Sequence, residues 1–320
     1  MAKSIPPFCQ RVHVLKDWRH VRDALQRFPP PALAVDEFGE ISEPAWIFRG
    51  VGSRDYGLTP AIEREARQAS LGWPALEAKL MEEFRFRAGL YLDLRNESDF
   101  ELLATMQHYG VPTRLLDFTL SPLIALYFAI RAVQRTSKNG TVKFARVWAI
   151  SSQVIREASG PAITQARAAQ AKHDGRSESH SVSLSPCDAA SDRDAIINDA
   201  KWTRNTVDHI IAADGAFRSS LNQTGCIFLA PPTSANARLA AQQGLFLLNG
   251  AHSMSFEESL KKVANARHTQ PWCEAFDISP QIFEEIEKHL FQMNIHEQSL
   301  FPDVLGLAGF MNQRIRLHWS

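Results

Sequence analysis

The chain is poor in the residue patterns that announce several common chemistries. Its 320 residues include four cysteines, at positions 9, 187, 226 and 273, and none forms a CxxC pair. That usage argues against a zinc ribbon and for a reducing compartment. Excess charge of either sign is absent, with 35 basic and 35 acidic residues and a net charge of zero. No global field therefore holds a polyanion, and an extended nucleic-acid cradle is not signalled, although a local basic pocket stays open. The opening residues, MAKSIPPFCQRVHVLKDW, lack the apolar core of a secretory signal, and the longest apolar run, PLIALYFAI, is too short to cross a bilayer. The expected location is the cytoplasm, with no membrane partner. No dinucleotide fingerprint, P-loop, HExxH or GxSxG occurs, which leaves Rossmann, kinase and serine-hydrolase chemistry without an anchor.

What is present is an ordinary globular composition, 45% hydrophobic and 22% charged, in a chain long enough to bury a substantial core. Residues 1–44 read as an N-terminal extension that includes the proline-rich loop FPPPALAVDEFGEISEP, and 45–320 as the main domain. AWIFRGVGS, 45–53, reads as a short strand of bulky residues ending in glycines. Apolar spacing predicts a helix over 74–94. A second helix is predicted over 98–110, with Ser98 as its cap and Gly110 at its left-handed end. VPTRLLDFTL, 111–120, reads as irregular or briefly extended. Ser121 followed by Pro122 starts a helix to about 134, and Asn-Gly turns into a strand near 141–150. Residues 155–195 are poor in large apolar side chains and read as a mobile insertion. Short strands follow at 226–232, 244–250 and 272–279, then helices over 279–295 and 299–315. The fold class expected is α+β, a mostly antiparallel central sheet flanked by helices.

Three stretches carry chemistry. In WIFRGVG, Arg49 sits in an apolar strand, where its charge needs an anion: a structural carboxylate or a ligand phosphate, which its planar fork grips well. Gly50 beside it permits close backbone approach. In QHYGVPTRLLDFT, His108 ends a helix, where its charge suits the dipole or its ring is catalytic. Arg114 and Asp117 are close enough to pair with each other, and Thr113 and Thr119 are turn hydroxyls or ligand contacts. A nuclease-like use of His108, Asp117 and Arg114 is a third reading, and no paired-carboxylate metal motif accompanies it. In NARLAAQQGLFLL, Gln242 or Gln243 enters a buried strand. Tyr127 is the polar tip of an otherwise apolar helix, and its ring reads as packing.

FRG at 48–50, QHYGVPTRLLDFTLSPLIALYFA at 107–129, NARLAAQQGLF at 236–246 and SLFPDVLGLAG at 299–309 together resemble the FRG-domain family, named for its Phe-Arg-Gly strand. More weakly, an arginine on an early strand, a threonine-rich segment before an apolar helix and a polar residue on a late strand resemble arginine-type ADP-ribosyltransferases. That resemblance implies an ADP-ribosyltransferase-like fold and an enzyme that cleaves NAD and passes ADP-ribose to a protein side chain or a nucleic-acid base. It further implies a toxin or antiviral-defence role, with an antitoxin as a further partner. On it, Arg49, Gly50, Thr113, Arg114 and Tyr127 are cofactor-binding candidates, and Asp117, Thr119, Gln242 and His108 catalytic ones. Gln242 stands where those enzymes carry a glutamate. Asp117 then supplies the carboxylate, or the acceptor is a strong nucleophile, or the protein is a non-catalytic nucleotide- or protein-binding module.

Overall fold

The computed structural model describes residues 6–28, 46–95, 97–136, 143–160, 164, 207–208, 210–213, 215–230, 237–265 and 271–318. Among the described residues, seven strands form one sheet: β1 (Arg11–Leu15), β2 (Trp46–Val51), β3 (Leu115–Thr119), β4 (Ala145–Ser151), β5 (Ile227–Ala230), β6 (Gly244–Asn249) and β7 (Cys273–Ile278). Their spatial order is β1-β7-β4-β2-β3-β6-β5. The sheet is mixed, where the sequence suggests a mostly antiparallel one. The difference comes from β1, which runs parallel to β7 with Arg11 opposite Glu274. RVHVL is too short to declare itself, and it is a strand because β7 offers it an edge. It lies inside the stretch read as an extension, and so does helix α1 (Trp18–Leu25). The proline-rich loop, the Asn-Gly turn and most of the 155–195 insertion lie outside the described residues; residues 152–160 are helical.

The helices Asp99–His108 and Pro122–Thr136 start where their punctuation says, whereas the helix read over 74–94 ends at Ala88 and the one read over 299–315 is split into Glu297–Leu300 and Val304–His318. α4 (Asp99–His108) opens on a reciprocal cap: Glu101 N–H donates to Ser98 Oγ at 3.3 Å, and Ser98 N–H to Glu101 Oε2 at 3.0 Å. It closes at Gly110, whose φ of 82° lets Val111 N–H turn back to the Met106 carbonyl at 2.9 Å. α5 (Pro122–Thr136) starts with Ser121 Oγ accepting Ile124 N–H at 3.3 Å. α2 (Ala61–Ala66) and α3 (Trp73–Ala88) lie between β2 and α4.

Two features of this frame create a cleft. First, α5 lies directly on β2. A Cβ at Gly50 would run into the Ala125 carbonyl and the Ala129 amide of α5, so the close approach that Gly50 permits is that of the helix backbone. Second, the sheet is split at its centre. β2 and β3 share a single bridge, Phe48 with Thr119, whereas β3 and β6 pair over five residues. Past that bridge β2 and β3 separate, and the gap is left for side chains.

Candidate functional site

The gap between β2 and β3 opens into a cleft of about 410 Å³, walled by the last turn of α4, by α2 and α5, and by helix Ala237–Ala241. Arg49, Gly50, His108, Asp117, Thr119 and Gln242 all line it. Residues from three separate stretches of the sequence therefore meet there.

Arg49 projects into the split. Its Nη1 donates to the main-chain carbonyl of Asp117 at 2.6 Å and lies 3.7 Å from the Asp117 carboxylate. The guanidinium thus caps a carbonyl in the region where the β2–β3 ladder has parted. Burial disfavours its charge. The Asp117 carboxylate supports that charge, and the neighbouring Arg64 guanidinium opposes it. Asp117 is the one exposed position of β3, whose other four residues are buried. Its Oδ2 accepts from Gln107 Nε2 at 2.9 Å.

Thr119 and Gln242 hold the far wall together. Thr119 Oγ1 donates to the Gln242 carbonyl at 2.7 Å and accepts Ser121 N–H at 3.2 Å. The Gln242 amide donates to the Leu300 carbonyl at 3.0 Å. Gln243, next in the chain, turns the helix into β6 with a φ of 47°. His108 is held below its usual pKa, first by burial and then by the Arg238 charge, so its imidazole is neutral near pH 7.

Three other candidates lie elsewhere. Thr113 is fully buried behind the cleft wall, where its hydroxyl donates to Gln107 Oε1 at 2.5 Å. Arg114 faces away. Its Nε donates to Glu77 Oε2 at 2.5 Å, its backbone N–H to Glu77 Oε1 at 2.8 Å, and its guanidinium covers the Trp73 ring at 5.0 Å. Strand alternation explains why it does not pair with Asp117: positions three apart point to opposite faces. Tyr127 is buried on α5 and donates to Glu297, which also binds Arg131.

Gln107, Arg64 and Arg238 also line the cleft. Arg238 lies over the Phe301 ring at 4.8 Å. Arg64 sits in an unremarkable helical stretch, and only tertiary placement brings it here. Among the described lining residues, Asp117 is the single carboxylate against three guanidinium groups. Such a cleft favours an anion carrying about two negative charges. Its volume lies within the range of small-molecule sites.

No helix among the described residues is long and apolar enough to cross a membrane. No curated protein and no solved structure matches the chain. The family model of the FRG domain matches residues 44–138. That span holds β2 to α5, and with them Arg49, Gln107 and Asp117 on the cleft; Arg238 and Gln242 come from beyond it. Residues 44–138 of this chain are thus similar to the FRG domain.

Proposed function

We propose that this cleft binds NAD and that the protein transfers ADP-ribose to a macromolecular acceptor on an ADP-ribosyltransferase-like fold. The observation that carries the reading is the meeting of Arg49 and Asp117 in one cleft whose arginines outnumber its carboxylate. A pyrophosphate brings two negative charges and flat arrays of oxygens, which guanidinium forks grip. Arg49 takes that role, with Arg64 and Arg238 beside it.

In the reaction, the bond from ribose C1′ to the nicotinamide nitrogen breaks, and its electron pair leaves with nicotinamide. Positive charge grows on the ribose ring, as in glycoside hydrolysis. The Asp117 carboxylate stabilises it. The acceptor's lone pair then bonds to C1′, and its proton passes to Asp117 or to the neutral His108 imidazole. The acceptor is a protein side chain or a nucleic-acid base. In a cell such an enzyme would serve as a toxin or defence effector in the cytoplasm, restrained by an antitoxin. A second reading, a nucleotide-binding module without turnover, draws on Gln242, whose amide is engaged by Leu300 and which offers no carboxylate.

Incubation of the protein with labelled NAD and cell extract or RNA tests the proposal. Label transfer or nicotinamide release is expected. Arg49→Ala and Asp117→Ala should abolish it while circular dichroism and melting show a folded chain. Tight nucleotide binding by calorimetry without turnover would select the module. Neither binding nor turnover would end both readings.

A further inference from the structure

The strongest unassigned feature of the cleft is a hydrogen-bond chain behind its carboxylate. It starts at Thr113, which is fully buried. Thr113 Oγ1 accepts Leu115 N–H at 3.2 Å, so its own proton points the other way, to Gln107 Oε1 at 2.5 Å. That contact fixes the Gln107 amide with its oxygen toward Thr113. The nitrogen end agrees independently. Gln107 Nε2 lies 3.3 Å from the Leu115 carbonyl and 2.9 Å from Asp117 Oδ2, and both are acceptors. A flipped amide would set oxygen against oxygen at both places. Three neighbours therefore agree on one orientation.

The consequence falls on Asp117. Its side chain is exposed and would otherwise be free to sample rotamers. Arg49 touches its main-chain carbonyl more closely than its carboxylate. The group that locates the carboxylate is the Gln107 amide, held on the last turn of α4 by a hydroxyl that solvent does not reach.

We propose that Gln107, locked by Thr113, is a positioning residue that aims the Asp117 carboxylate into the cleft. The inference rests on the NAD reading for its catalytic consequence. The chain Thr113–Gln107–Asp117 is testable apart from it.

In the full-length protein, Gln107→Ala should lower kcat by roughly 10²-fold, the size of effect that follows from a carboxylate misplaced by about 1 Å, while KM for NAD changes little. Thr113→Val, which keeps the shape and removes the proton donor, should lower kcat in the same way. Thr113→Ser should recover most of it. A rise in KM at unchanged kcat, or a Thr113→Ser variant as impaired as Thr113→Val, would overturn the proposal. Should the wild type not turn NAD over, the side-chain amide resonances of ¹⁵N-labelled Gln107 decide the matter alone. Asp117→Asn and Thr113→Val should each displace those resonances, and Thr113→Ser should leave them near their wild-type positions. Asp117 is exposed, so its variant folds. Resonances indifferent to Asp117→Asn refute the chain whatever the activity.

Discussion

Replacing Glu63 with glutamine should stabilise the protein above neutral pH and leave it unchanged in acid. Glu63 lies on α2, next to Arg64, and is only 6% exposed. Its Oε1 accepts Phe256 N–H at 2.8 Å. Burial raises its pKa from 4.5 to about 7. The Phe256 amide and Arg67 pull it back, while Glu257 and Glu258 push it further up. The sign follows from which state holds the proton. Between pH 4.5 and about 7 the unfolded chain has released it and the folded chain has not. Stability therefore falls as pH rises through that window, by about 3 kcal/mol at 1.36 kcal/mol for each tenfold change in proton affinity. Glutamine keeps the acceptor for Phe256 and has no charge to bury. Urea unfolding followed by the fluorescence of the seven tryptophans measures both proteins across the pH range. Other carboxylates titrate in both, so the quantity to read is the difference between them. It should be near zero at about pH 4 and approach about 3 kcal/mol at about pH 8 in favour of the variant. A difference that does not change with pH, or one that favours the wild type at high pH, would refute the reasoning.

Other predictions follow from single contacts. Gly50→Ala should destabilise by about 3 kcal/mol or lower the yield of folded protein, because its methyl meets α5 backbone rather than a side chain that can move aside; the denaturation midpoint reports it. Glu77→Gln should cost about 3–5 kcal/mol by leaving the Arg114 charge buried without its anion. Thermal melting should show that loss with nucleotide binding at the separate cleft intact.

Local order was legible wherever punctuation is local. Ser98 and Gly110 bracket α4, Ser121 and Pro122 start α5, and the bulky run at 46–51 is β2. What was not legible depends on partners distant in sequence. β1 is a strand because β7 lies beside it some 260 residues later. Arg64 enters the cleft through the packing of its helix, and nothing in its neighbourhood marks it; Arg238 lies within NARLAAQQGLF, where the glutamines and not the arginine stand out. Alternation separates Arg114 from Asp117, but that argument needs an extended chain there, and with Pro112 near its start the stretch reads as irregular or briefly extended. Gln107 stood in view within QHYG. Its role depends on a hydroxyl six residues on, across a turn.

The question the sequence raises about Arg49, structural partner or ligand grip, dissolves once the split in the sheet is considered. A guanidinium carries five donors in a fixed fork. Arg49 spends one on the Asp117 carbonyl, a structural task created by the parting of β2 from β3. Its nearest carboxylate oxygen, at 3.7 Å on an exposed side chain, is beyond hydrogen-bond distance. A pair of that kind contributes under about 1 kcal/mol. It offsets only part of what burial and Arg64 cost the charge. The frame therefore holds Arg49 in place through its backbone contact while leaving its charge poorly neutralised. On the NAD proposal, an anion entering the cleft would supply what Asp117 does not and would leave the carboxylate beside it for chemistry.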